Sequence, residues 1–252
     1  MTKEQALIAY TLRLADNALI LSQRMIELVA AEPELEEELA NANFALDFIG
    51  QARMFYSYAG ELEGQGRSED DFAFMRDENE FRNLILLELP NGHFGDALVR
   101  QFLFESFYVH LLDALTRCSD KGLAAVAARA IKEVKYHCRH SSLWLVRLGD
   151  GTELSHERVQ GALDDVWGYT GEMFAADDID TAIQENFEGP DLGAIRALWM
   201  RDVEKTVSEA TLRLPADEWM ASGGKQGEHS EHLGFMLAEM QYLQRSFPGE
   251  TW

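Results

Sequence analysis

The distribution of proline constrains this chain more than any other feature. All five prolines, Pro33, Pro90, Pro190, Pro215 and Pro248, fall at joints between periodic segments, and none occurs between Pro90 and Pro190. Proline removes a backbone donor and clashes with the preceding turn, so it is excluded from helix interiors. Its absence from such long stretches leaves room for long unbroken helices. β-branched residues are sparse, and no run alternates with period two over the length of a strand. The chain is therefore expected to be all-α.

The apolar pattern divides it. Residues 3–31 repeat Leu14, Ala18, Leu21, Met25 and Leu28 on one face, and residues 34–63 repeat Leu35, Leu39, Ala42, Leu46 and Ile49. Gly60, Gly64 and Gly66 close the second segment. Ser68 with Asp71 has the spacing of a capping box and predicts a helix over about 69–89. After the turn Asn91-Gly92-His93 come helices over about 94–118 and 121–148. Further helices are expected over about 155–174, opened by Ser155, then 191–214 and 229–246, followed by the tail Phe247–Trp252. No low-complexity linker divides the chain, so residues 1–252 read as one domain. Its four core helices are 3–31, 34–63, 94–118 and 121–148, a long antiparallel bundle with helices added toward the C-terminus.

Charge excludes some partners. With 44 acidic and 22 basic residues the formal charge is −22, which repels nucleic-acid phosphates. The most apolar run, Leu84–Leu87, is far shorter than the roughly 20 residues that span a bilayer. Arg13 and Asp16 interrupt the apolar N-terminal stretch, unlike a signal peptide. Two cysteines, Cys118 and Cys138, form no disulfide framework. A soluble cytoplasmic protein that binds neither nucleic acid nor membrane is expected.

Polar residues interrupt the apolar stripes. Asp16 lies on a stripe with Leu12, Leu19 and Ile26. Asn43 lies with Leu39, Leu46 and Gly50, and Asp47 stands beside it. Glu105 lies among Leu98, Phe102, Val109 and Leu112, and Glu133 and His137 lie with Val126, Ala130 and Trp144. Four helices thus carry polar groups on apolar faces, and a buried carboxylate needs a metal, a basic partner or a proton. Arg24, Arg53 and Arg100 are candidate cations. One Glu on each of two helices and Glu-x-x-His on each of the other two is the di-iron carboxylate pattern. Here the ligand positions read Asp16; Asn43 through Leu46; Glu105; and Glu133 through Tyr136, with His137 one residue late. Asn and Tyr are poor substitutes and Leu is none, so Asp16, Asn43, Asp47, Glu105, Glu133 and His137 are expected to be a vestigial cluster. For any one of these acids the competing reading is a stripe-edge residue reaching water.

Weaker candidates are His229 and His232 with Glu228 and Glu231, read as a solvated helix start, and His137 with His140. Gly223-Gly224-Lys225-Gln226-Gly227 lacks phosphate-loop spacing and reads as a connector.

Several stretches carry a family resemblance. They are Ala9-Tyr10-Thr11-Leu12-Arg13-Leu14, Leu46 through Arg53, Pro90-Asn91-Gly92, Ala130-Ile131-Lys132-Glu133 with Tyr136-His137, and Thr211-Leu212. The tail adds Gly223-Gly224-Lys225, His229, Glu231 through Gly234 and Met236 through Arg245. Together they resemble the C-type subunits of the bacterial ring-1,2-phenylacetyl-CoA epoxidases of aerobic phenylacetate degradation. The resemblance implies a ferritin-like fold and a non-catalytic structural role, with no metal or cofactor on this chain. It implies an A-type partner that carries the di-iron centre and binds substrate, other epoxidase subunits, and a reductase with NADPH, flavin and iron–sulfur groups. Two alternatives stand beside it: a di-iron oxygenase in its own right using Asp16, Asp47, Glu105, Glu133 and His137, or a stand-alone helical binding protein.

Overall fold

Helix α1 (Lys3–Ile26) begins where Thr2 and Gln5 satisfy each other's backbone donors in a capping box. It ends before residue 31, in turns over residues 27–29. α2 (Leu35–Glu63) follows. The computed structural model describes residues 1–252 apart from 30, 32, 251 and 252, so Trp252 of the tail lies outside the described residues. The chain divides into two compact units, one of Met1–Ala31, Glu36–Leu89 and Gly223–Trp252, the other of Glu32–Leu35 and Pro90–Ser222.

In the first unit α1 and α2 run antiparallel. Asn41 Nδ2 donates to Met25 O near the turn (2.7 Å), and Tyr56 Oη donates to Asp16 Oδ1 further along (2.6 Å). The buried face of α2 is aromatic, with Phe44, Phe48, Phe55 and Tyr56, rather than the leucine repeat of the sequence reading. The large rings win the core because they remove more apolar area from water. The Ser68–Asp71 capping box forms as its spacing predicts. The helix it opens, α3 (Glu69–Phe74), stops well short of residue 89. Beyond it only single 3₁₀ turns form, Glu78–Glu80 and Ile85–Glu88.

The second unit is built on α4 (Phe94–Leu115) and α5 (Lys121–Gly149), joined by residues 116–120. His93 caps α4 through Nδ1, and Asp120 caps α5. α6 (Glu153–Trp167) starts under Thr152 rather than Ser155. α7 (Asp178–Phe187) was not anticipated, although Asp177 accepts from the amides of Ile179 and Asp180 and marks its start. α8 (Leu192–Glu209) packs on α4, where Trp199 stacks on Trp167 and donates Nε1–H to Leu103 O at 3.0 Å. At the C-terminus the expected helix 229–246 is two pieces, α9 (Glu231–Met240) and α10 (Tyr242–Ser246).

Candidate functional site

Asp16, Glu105 and His229, among the residues singled out above, each lie in a separate buried polar cluster. The first surrounds Asp16, fully buried on α1. A carboxylate there needs a counter-charge, and Arg76 supplies it, rather than Arg24, Arg53 or Arg100. Both guanidinium Nη atoms bond the two carboxylate oxygens, Nη1 to Oδ2 at 3.2 Å. Tyr56 Oη donates to Oδ1 at 2.6 Å and the Arg82 amide to Oδ2 at 2.9 Å. Arg76 is itself fixed by Phe72 O (2.6 Å) and Glu80 O (3.1 Å), and its guanidinium lies 4.2 Å from the Phe81 ring centroid. Burial, the largest single effect, would lower the Arg76 pKa, but the charge and hydrogen bonds of Asp16 together with Tyr56 and Glu80 outweigh it and raise it. The same pair explains why the chain leaves helix after Phe74: the irregular backbone of residues 75–82 turns the Glu80 carbonyl onto Arg76 and the Arg82 amide onto Asp16, while the end of α3 offers the Phe72 carbonyl.

The second cluster lies between α4 and α5. Glu105 is buried, and its Oε2 accepts from Ser141 Oγ at 2.6 Å. Its Oε1 is buried with no hydrogen-bond partner among the described residues. Burial raises its pKa to about 8, against the pull of the Ser141 hydrogen bond. Glu105 is therefore a neutral acid at pH 7. Ser106 Oγ and Cys138 Sγ sit 3.6 Å apart beside it. His137 is buried on α5, and Glu133, four residues earlier, is half-buried.

A pH dependence follows. Below pH 4.5 Glu105 is protonated in both folded and unfolded chains. Between there and about pH 8 only the folded chain keeps the proton, so rising pH erodes stability, and above that range the full cost of burying the charge remains. Glu105→Gln keeps the shape and cannot ionise. Its melting temperature relative to the parent is expected to climb steadily between pH 5 and pH 8; a difference independent of pH would contradict a protonated Glu105.

The third cluster was missed in the sequence, where His229 reads as a solvated helix start. Instead His229 and Glu88 are both inaccessible to solvent at the side chain and 2.5 Å apart, Nδ1 to Oε1. His229 Nε2 lies 3.0 Å from Phe81 O. Both ring nitrogens thus face oxygens that can accept, an arrangement that favours the doubly protonated ring. Glu88 Oε2 accepts from Ser230 N (2.8 Å) and Oγ (2.7 Å), and Oε1 from Asn83 Nδ2 (2.9 Å). The glycine-rich segment before it is a close-packed joint. An added Cβ at Gly224 would strike Asn83 O, and Gly227, at φ 87°, lies on Asn79 O. The signal available in the sequence was Glu88 closing the most apolar run of the chain.

The remaining expected ligands are scattered. Asn43 is exposed, its Nδ2 donating to Leu39 O of its own helix at 2.7 Å, so it does not face the interior as expected. Asp47 is half-buried, and Leu46 and Tyr136 are exposed. Among the described residues no group of three or more His, Cys, Asp or Glu side chains is placed to hold a metal ion. These side chains do not fit a pair of irons: Asp16 already has a guanidinium on both oxygens, Leu46 and Tyr136 point outward where ligands are expected, and exposed Asn43 spends its amide on its own helix.

Comparison with known proteins bears on the fold and the family. In fold, the chain is similar to protein 19 with aldehyde deformylating oxidase activity from Synechococcus, at a TM-score of 0.62 and 14% identity, over 84% of this chain and 95% of that one. The likeness places the chain among the all-α, ferritin-like helical bundles. No helix among the described residues is long and apolar enough to cross a membrane. In sequence it is 50% identical over 246 residues to the C subunit of the 1,2-phenylacetyl-CoA epoxidase of Escherichia coli (strain K12), covering 98% of this chain and 99% of that one. The family model for the phenylacetic acid catabolic proteins matches residues 1–252, and the chain belongs to that family.

Proposed function

We propose that this chain is the non-catalytic C-type subunit of a multicomponent epoxidase acting on the aromatic ring of phenylacetyl-CoA in the cytoplasm. It pairs with a related A-type subunit that carries the di-iron centre, and braces that subunit's helices. The observation that carries the non-catalytic part is Arg76 on Asp16. A guanidinium holds both oxygens of the first expected iron ligand, so the charge that a metal would neutralise is neutralised by the protein itself. The vestigial set Asp16, Asn43, Asp47, Glu105, Glu133 and His137 is read here as the remains of a site whose buried members have become structural. The flavin, iron–sulfur and NADPH chemistry belongs on the reductase.

This reading takes residues 1–252 as one domain. In support, the first compact unit is assembled from three separate stretches of chain. A single calorimetric transition is expected, and two independent transitions would contradict it.

The functional test is co-expression with the A-type subunit. The two chains should co-purify, and with reductase the pair should oxidise NADPH in response to phenylacetyl-CoA. A chain that stays soluble alone and never co-purifies would refute the subunit role.

A further inference from the structure

We propose that the outward face of α2 is a docking surface for an apolar helix flanked by basic side chains, carried by a related helical subunit. The proposal rests on the subunit reading above and names the surface that serves it. α2 is apolar on two faces. Its aromatic face is buried within the first unit. Its other face carries the heptad repeat Leu35, Leu39, Ala42, Leu46 and Ile49, and none of these residues is buried. Leu35, Leu39 and Leu46 are 65%, 57% and 64% exposed. A helix apolar on both sides is normally covered on both, and a spacing of four and three residues is the seam that accepts another helix.

Gly50 supports the same conclusion. It lies inside α2, where glycine costs about 1 kcal/mol relative to alanine. A Cβ placed there would meet nothing within 4 Å. No packing within this chain accounts for it, whereas close approach by a second backbone does.

Charge selects the occupant. Glu36, Glu38 and Asp47 flank the seam, and Arg53 at its far end is held by Glu69 at 2.7 Å. A second copy would set these acids against their own kind on a chain of charge −22. A helix with Lys or Arg beside its apolar residues matches both the seam and its rims.

The test uses the full chain with the A-type subunit as the probe. Leu39→Glu/Leu46→Glu should keep the parent's circular dichroism and melting temperature while weakening association at least about tenfold. Phe235→Glu, on an exposed apolar residue of α9, should leave association intact. Gly50→Leu provides a second variant: it should raise the melting temperature of the chain alone yet weaken docking. Unchanged association of both α2 variants would overturn the face assignment and leave the subunit reading standing. Equal weakening by Phe235→Glu would overturn it too. Self-association of the chain, abolished by the α2 variants, would replace the proposed occupant with a second copy. Failure of the parent chain to associate at all would overturn the subunit reading and the docking face together.

Discussion

Arg76→Met is expected to destabilise the folded chain by about 3–5 kcal/mol, the range for leaving a buried charge without its partner. Asp16 would keep the Tyr56 hydroxyl and the Arg82 amide but lose the guanidinium that bonds both its oxygens. Phe72 O and Glu80 O, which Arg76 ties together, would lose their donor as well. Asp16→Asn in the Arg76→Met background should recover part of the loss, because it removes the stranded charge. Urea unfolding of the two single variants and the pair gives the coupling directly. Additive effects would mean that the two side chains do not act as a pair.

Glu88→Ala should cost about as much, again roughly 3–5 kcal/mol, and its effect should begin locally. Glu88 receives His229, both donors of Ser230 and the Asn83 amide. Without it a buried imidazolium has no counter-charge and several donors have no acceptor. The segment from Gly223 onward is fastened chiefly through this clasp and through Gln241 and Arg245, which donate to Ala73 O, Phe74 O and Arg76 O. Amide protection over residues 223–246 should fall before protection in α1. The parent's clasp is also pH-sensitive. Burial, the largest single effect, works against the His229 charge, but the hydrogen bond and charge of Glu88, the Phe81 carbonyl and the Glu78 charge together outweigh it and lift its pKa above 6.5. The clasp is therefore at full strength below pH 6.5 and weakens as pH rises through the raised value. Proteolysis within 223–246 should accelerate over that range in the parent, and a rate flat with pH would show that His229 is not the group that titrates.

Legibility in the sequence followed the range of the interactions. α4 and α5 appear nearly as expected, because proline-free periodicity and side-chain caps act within a few residues. The segment 75–88 was misread as helix because its conformation answers to Asp16, some sixty residues away in sequence. α2 has two apolar faces, and periodicity cannot say which one meets the core; the aromatic one does, which turned Asn43 outward. Of the candidate site, Asp16, Glu105 and His137 are buried as their stripes implied. Their compensation was hidden. Arg76 lies outside any periodic helix, and the proton on Glu105 follows from burial that sequence does not report. His229 was misjudged because its partner, Glu88, comes from a distant part of the chain.

The most direct measurement is the metal content of this chain purified without its partner after iron-replete expression and anaerobic loading with Fe(II). A protein whose first ligand position is held by Arg76 and whose Asn43 lies outward on its own helix should retain far less than one iron per chain. Retention of about two irons per chain, with the absorption of a carboxylate-bridged pair, would contradict a structural role and make this chain a metal-bearing subunit.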